Sequence, residues 1–202
     1  MDNDLSEYTG QTVVKLQEMC KAAAYGLLWE WAKKDNVLDF YRETELYIYD
    51  LTHYQHDILG KAFYDWFNAM TVQIKGHGLD LGGGIGEYTI QAIKQGATMD
   101  FIDVDGFTLK YAKWRFKKHN VEPNIFTEDF KIDKDYDFIV AMDVLEHLEN
   151  PEERIKEFHK HTKYLFANPE QVQYNIKYPQ HISHYDLTPY YSNLSGNLWV
   201  RK

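Results

Sequence analysis

Gly78-Leu79-Asp80-Leu81-Gly82-Gly83-Gly84-Ile85-Gly86-Glu87-Tyr88-Thr89 is the stretch from which the rest of the chain can be read. The short apolar run ending in Asp80-Leu81 predicts a buried strand. Gly82, Gly84 and Gly86 then let the backbone turn tightly into a helix beginning near Glu87. The glycines are spaced G-x-G-x-G, and Glu87 stands where a dinucleotide fingerprint needs its third glycine, so a nicotinamide-dependent oxidoreductase is disfavoured. A helix N-terminus that meets a Glu instead of a pyrophosphate predicts a ligand without phosphates.

Working outward, strands and helices alternate. His77 to Leu81 is strand one, and the helix after the glycine turn runs from Glu87 to Gln95, with Gly96 at the usual helix stop. Strand Thr98 to Asp103, helix Phe107 to His119 and a short strand Asn124 to Thr127 follow. Tyr136 to Met142 is a near-continuous apolar run suited to a parallel strand covered on both faces. Asn150-Pro151 opens a helix to His161, with Pro at its tolerated first position, and Lys163 to Ala167 is strand five. The pattern predicts an α/β fold, a Rossmann-like, doubly wound, mostly parallel sheet. About 35 residues remain after Ala167, of which Asn197 to Arg201 supplies one last strand with no recognisable partner, so a sheet trimmed to six strands is expected.

Upstream of the first strand, Val13, Leu16, Cys20, Ala23, Leu27 and Trp31 recur at helical spacing, predicting one long or broken helix from Leu5 to Lys34. Asp35-Asn36 interrupts it, and a second helical region runs through Ile58, Ala62, Phe63, Trp66, Phe67 and Met70. Between them Phe40 to His56 is dense in rings. Residues 1–74 are therefore read as an N-terminal helical extension or cap, and 75–202 as the Rossmann-like domain, together one core.

Of the 202 residues 16% are aromatic, 16 of them Tyr, which fits a pocket lined with rings. The net charge of −9 speaks against a broad electrostatic grip on nucleic acid. Lys110, Lys113, Arg115, Lys117 and Lys118 are read as the solvated face of one helix. The single Cys20 excludes an intrachain disulfide, and its place on an apolar helical stripe makes it a small core residue. No apolar run approaches a membrane span and no leader pattern follows Met1, so a cytoplasmic protein without membrane attachment is expected, with the N-terminal helices as a candidate homodimer surface.

Four motifs in order carry a family resemblance over about half of the chain, Lys75 to Pro169. They are Asp80-x-Gly82-x-Gly84-x-Gly86; Asp103 about twenty residues beyond the glycine turn; Glu128-Asp129-Phe130 after strand three; and Met142-Asp143-Val144-Leu145-Glu146-His147-Leu148 after strand four. Together they resemble the class I S-adenosylmethionine-dependent methyltransferases of small molecules, with their V-L-E-H-L turn. The resemblance implies that the cofactor is S-adenosylmethionine, with S-adenosylhomocysteine as its product. It implies that Gly82, Gly84 and Gly86 approach the methionine tail with Asp80 ordering the turn. Asp103, beside Val104, would hold the ribose; Asp129 the adenine amino group, with Phe130 and Met142 as apolar neighbours. His147, at the sheet edge where open α/β sheets bind ligands, could take a proton near neutrality or fix the turn. His181 and His184 are the further candidates for the acceptor pocket, and Tyr41, Tyr47, Tyr49 and Tyr54 would close over the methyl group. The expected function is methyl transfer to the N, O or C nucleophile of a small-molecule partner, with no metal. Two alternatives stand beside it. Asp143, Glu146 and His147 with a later histidine resemble the set by which small-RNA terminal 2′-O-methyltransferases hold a divalent ion, although that family has Glu where Asp143 stands. The other is a catalytically silent cofactor-binding subunit.

Overall fold

The computed structural model describes residues 3–34, 36–168 and 180–202, with backbone only at Asn3, Ile58 and Leu59; Asp35 of the expected interruption and Pro169 lie outside the described residues. Five helices come first: α1 (Asn3–Thr9), α2 (Val13–Trp31), α3 (Val37–Glu43), α4 (Leu46–His56) and α5 (Ile58–Thr71). Where one long or broken helix was expected there are two. Gly10 at φ +68° ends α1, and the Thr12 side chain accepts from Lys15 N–H to start α2.

The alternating unit then follows: β1 (His77–Leu81), α6 (Glu87–Lys94), β2 (Thr98–Ile102), α7 (Phe107–His119), β3 (Asn124–Phe126), β4 (Tyr136–Ala141), a single 3-10 turn (Leu145–His147), α8 (Pro151–His161), β5 (Thr162–Ala167), β6 (Tyr191–Ser195) and β7 (Leu198–Arg201). The sheet order is β3-β2-β1-β4-β5-β7-β6, with β1 to β5 parallel and β7 antiparallel to both β5 and β6. The seven strands correct the expected six. The missed partner is β6, an edge strand on which only Tyr191 is buried, so its sequence shows no apolar alternation.

Both sheet faces are covered. Leu79, Leu81, Ile139, Ala141, Leu165 and Ala167 pack with Ile155 and Phe158 of α8, while Met99, Phe138, Val140 and Phe166 pack with Phe67 of α5 and Ala92 of α6. Neighbouring residues thus serve opposite faces, which is why β4 reads as one apolar run. Leu5, Leu16, Cys20, Ala23, Ile48 and Tyr49 bring α1, α2 and α4 together with Ile85 and Tyr111 of the α/β unit. Cys20 is buried there as a small core residue. Among the described residues no helix is long and apolar enough to cross a membrane.

Arg115 corrects the reading of its helix as a solvated basic face. It is 2% exposed and donates from Nε to Asp4 Oδ2 at 3.0 Å, from Nη1 to the Ile85 carbonyl at 2.8 Å and from Nη2 to Glu87 Oε2 at 2.6 Å. Lys118 and His119 also reach Asp4, at 3.0 and 2.7 Å. Burial alone would raise the Asp4 carboxyl, but hydrogen bonds from His119, Arg115 and Lys118 outweigh it and hold the group at about 2. One guanidinium therefore fastens α1 to the end of the glycine turn. Arg115→Ala, which leaves the buried Glu87 carboxylate without its cation and takes one of three partners from Asp4, is expected to cost about 3–5 kcal/mol in urea unfolding, with Arg115→Lys recovering part of it; a loss below about 1 kcal/mol would show that the network is not holding the fold.

Candidate functional site

The strand order reverses direction beside β1: the chain leaves β1 for β2 and β3 on one side, then crosses to β4 on the other. Open parallel sheets form a crevice at the carboxyl ends of such strands. Here that crevice is a cavity of about 210 Å³ lined by the glycine turn, the ends of β1, β2 and β4, and residues of α3, α4, α5 and α6.

The floor is the turn Gly82-Gly83-Gly84. Gly82, Gly84 and Gly86 have φ of +62°, +58° and +79°, the left-handed region that glycine adopts without strain. A Cβ on Gly82 would lie 2.6 Å from Val144 Cγ2, and one on Gly84 2.9 Å from Leu51 Cδ1. Gly86 serves packing rather than the cavity: it precedes α6, and a Cβ there would meet the Phe116 ring at 2.5 Å.

Two carboxylates flank this floor. Asp80 is 1% exposed and accepts from Thr89 Oγ1 at 2.7 Å; burial pushes it up to about 7 against that hydrogen bond. Asp103 accepts from Gly84 N–H at 2.6 Å and Val104 N–H at 2.7 Å, and burial pushes it also to about 7. Each Asp103 oxygen takes one backbone donor, which leaves each a second lone pair for a ligand.

Helical period selects the roof. On α4, Tyr47, Leu51 and Tyr54 share one face and line the cavity. Tyr49, two residues from Tyr47, falls on the other side, where it is 4% exposed and packs among α1 and α2, away from the expected pocket. Tyr41 of α3 and Tyr64 of α5 complete the roof, and Tyr88 of α6 stacks at a tilt on Tyr64 with centroids 5.0 Å apart.

Val104, Phe130 and Met142 line the cavity as expected, but Asp129 does not. The turn closed by Phe130 N–H to the Thr127 carbonyl at 3.0 Å sends Phe130 inward and leaves Asp129 exposed on an outer groove. Its neighbour Glu128, which sequence reasoning passed over, lines the cavity and pairs with Arg42 at 2.7 Å. Nothing in two adjacent acids of one turn says which will face inward.

His147 lines both cavity and groove, with Nδ1 3.0 Å from the Gln180 carbonyl and 3.1 Å from the Tyr41 hydroxyl. A carbonyl only accepts, so Nδ1 carries the proton of that bond, and the Asp143 backbone also bonds the imidazole. Burial pushes the imidazole down to about 4, so it is neutral at pH 7 and a weaker base than the near-neutral one its residue type suggested. His181 is 9% exposed, its ring 4.8 Å from that of His147 and outside the cavity lining, and His184 is exposed. Ile182 and Ser183 donate their N–H groups to the Glu146 carbonyl, which docks this later segment on the 3-10 turn. Glu146, His147 and His181 each offer a ligand atom within 4.8 Å of the others; Asp143 is not part of that group. Glu146 Oε2 is buried without a hydrogen-bond partner, and burial pushes the carboxyl to about 7.

Residues 79–164 match the family model of the methyltransferase domain. The fold is shared with an S-adenosylmethionine-dependent methyltransferase from Clostridium acetobutylicum ATCC 824, 17% identical with a TM-score of 0.50; the match covers 58% of this chain and 55% of that one. Magnesium protoporphyrin IX methyltransferase from Synechocystis PCC 6803 with bound SAH is 19% identical with a TM-score of 0.51, over 60% of this chain and 67% of that one. The same enzyme with bound SAM matches at 20% identity and a TM-score of 0.50, over 62% of each chain. This chain thus spans little more than half the length of the Clostridium structure. No curated protein sequence matches it.

The glycine geometry carries a prediction of its own. Gly82→Ala, strained in φ and blocked by Val144, should destabilise the chain by at least about 1 kcal/mol more than Gly96→Ala, whose Cβ would meet open space at φ +93°. Equal urea midpoints for the two variants would contradict the tight approach of the turn to Val144.

Proposed function

We propose that this chain, whose residues 79–164 match the methyltransferase-domain family model and whose fold is shared with S-adenosylmethionine-dependent methyltransferases, is an S-adenosylmethionine-dependent methyltransferase of a small-molecule acceptor. The observation that carries the reading is the pair of carboxylates at the cavity, buried Asp80 and half-buried Asp103, beside a glycine floor with no room for a Cβ. Such a site suits a ligand with hydroxyl donors and positive charge and without phosphates. The residues present fit an adenosyl group. Asp103, with a lone pair left on each oxygen, would accept from the two ribose hydroxyls. Phe130, Ile102, Val104 and Leu148 would border the adenine, and Gly82 to Gly84 would let the backbone approach the methionine end.

When bound, the cofactor supplies a methyl group on a positively charged sulfur. What the chain contributes is position: Tyr41, Tyr47, Tyr54 and Tyr64 roof the cavity, exclude water, and hold an acceptor in line with that methyl. Ring faces also favour a cationic sulfur, by about 0.5–2 kcal/mol. His147, neutral and fixed through Nδ1, would border the incoming nucleophile as part of the cavity wall.

A second reading, in which a divalent ion activates a hydroxyl acceptor, draws on the partnerless Glu146 oxygen near His147 and His181. Dialysis against EDTA followed by manganese separates the two: activity lost and restored supports the ion, and unchanged activity removes it.

The cofactor assignment is tested by calorimetric titration of S-adenosylhomocysteine. Asp103→Ala should weaken binding about tenfold or more, since a hydrogen-bonded carboxylate is worth roughly 1.5–3 kcal/mol. Affinity should also depend on pH. With Asp103 near 7 before binding, the carboxylate is mostly protonated at pH 6 and cannot accept from both hydroxyls, so binding should tighten on the order of tenfold from pH 6 to pH 8, with proton release. No binding, or an Asp103→Ala affinity equal to wild type, would overturn the assignment.

A further inference from the structure

The acceptor's chemistry is written on the side of the cavity opposite Asp80 and Asp103, and reading it rests on the methyl-transfer function proposed above. The chain leaves β4 through Asp143, which lines the cavity and has φ +53°. Among the described residues only Asn120, at the end of α7, is another non-glycine with positive φ. A side chain other than glycine in the left-handed region marks a position where the surroundings impose the backbone, and such positions concentrate at ligand sites.

Asp143 is exposed and lines the cavity, so its carboxylate can meet a ligand there. Desolvation, the largest cause, raises its carboxyl; the Asn168 hydrogen bond and the charge of His181 oppose the rise. Tyr47, Tyr54, Tyr88 and Tyr185 all lie within reach of its charge, which adds to burial in raising each of their hydroxyls. Asn168 Nδ2 donates to Asp143 Oδ1, which orients the amide, and Asn168 Oδ1 is then left buried with no hydrogen-bond partner. The Asp143 carboxylate therefore stands on the cavity wall with the tyrosine rings, one of its oxygens oriented from behind by Asn168. The lining offers no cation to meet it. Its single arginine, Arg154, is paired with Glu157 at 2.6 Å, and no lysine lines the cavity among the described residues. A carboxylate or phosphate on the acceptor would meet Asp143 as a like charge. A neutral alcohol brings one donor and no charge to meet the carboxylate. An ammonium brings three and a charge that both the carboxylate and the ring faces favour.

We propose that the acceptor is a primary or secondary amine, bound as its ammonium by Asp143 beside Tyr47, Tyr54 and Tyr88, and methylated on nitrogen. The ammonium first gives one N–H proton to the Asp143 carboxylate and becomes a neutral amine. The nitrogen lone pair then forms the N–CH3 bond as the methyl–sulfur bond breaks, its electron pair staying on sulfur as a neutral thioether. The methylated ammonium leaves, and Asp143 returns its proton to water. One proton is released overall, from ammonium substrate to methylated ammonium product.

The test is a matched acceptor panel on the full chain. Ethanolamine, putrescine, benzylamine and 2-phenylethylamine are set against ethylene glycol, 1,4-butanediol, benzyl alcohol, 2-phenylethanol and phenylacetate, and methyl transfer is read by S-adenosylhomocysteine formation and product mass. Asp143→Asn is assayed alongside, an exchange chosen because Asn tolerates the left-handed backbone. The proposal expects methylation of at least one amine and none of the oxygen analogues, with Asp143→Asn losing tenfold or more in kcat/KM for that amine while S-adenosylhomocysteine binds as tightly as to wild type. Methylation of an alcohol or carboxylate in preference to its amine partner overturns it. So does the absence of any amine turnover in a protein that binds S-adenosylhomocysteine, or an Asp143→Asn variant as active as wild type. If S-adenosylhomocysteine itself fails to bind wild type, it is the cofactor reading that falls.

Discussion

The hydrogen bond from Gly84 N–H to the Asp103 carboxylate, 2.6 Å long, ties the turn after β1 to the end of β2. It depends on two things at once. The backbone must enter the left-handed region at Gly82 and Gly84, which only glycine does cheaply, and the parallel register of β1 and β2 must bring Leu81 beside Ile102 so that Asp103 arrives over the turn. Shift that register by one residue and Asp103 leaves the crevice, together with every inward side chain of β2. The carboxylate is consequently fixed by strand pairing, not by its own flexible side chain, and this kind of rigidity is what a site needs to hold a ligand in line with a second reactant.

The glycine turn is in turn held from behind. Arg115 grips the Ile85 carbonyl and the Glu87 carboxylate, and Asp4 of α1 supplies its second anion. Ile85 and Glu87 both line the cavity, so α1 is connected to the floor through one buried guanidinium. The roof is connected differently. Tyr41 touches His147 through a hydrogen bond of 3.1 Å, and Arg42 of the same helix pairs with Glu128. These are partly exposed polar contacts, individually worth little, against a fully buried ionic network on the other side. The physical expectation is a firm floor with a roof over α3 and α4 that opens at lower cost, which suits a site that must admit one reactant after another.

The α/β unit was legible from the sequence because its signals are local. The limits of β1, β2 and β4 agree to within a residue with the apolar runs, and Gly96 and Pro151 punctuate helices where their φ preferences require. What escaped were features decided by tertiary context. Strand β6 is polar because it is an edge, and only pairing with β7 makes it a strand. Arg115 was read as a surface charge, yet it falls in phase with Tyr111, Ala112 and Phe116, the buried stripe of α7, so helical period carried a signal that the residue's charge overrode. Tyr49 was grouped with Tyr47 and Tyr54 on composition, where period would have separated it. For Glu128 against Asp129, and for the downward shift of His147, no local signal exists. Both follow from how a loop and a roof happen to enclose the site.

The central claim, that the crevice at the ends of β1 and β2 holds the adenosyl group through Asp103, is tested most directly by a crystal structure of the chain with S-adenosylhomocysteine. The account predicts both ribose hydroxyls within about 3 Å of the Asp103 oxygens, the homocysteine end against Gly82 to Gly84, and the ring of Phe130 beside the adenine. Ligand bound elsewhere, or a ribose turned away from Asp103, would contradict it.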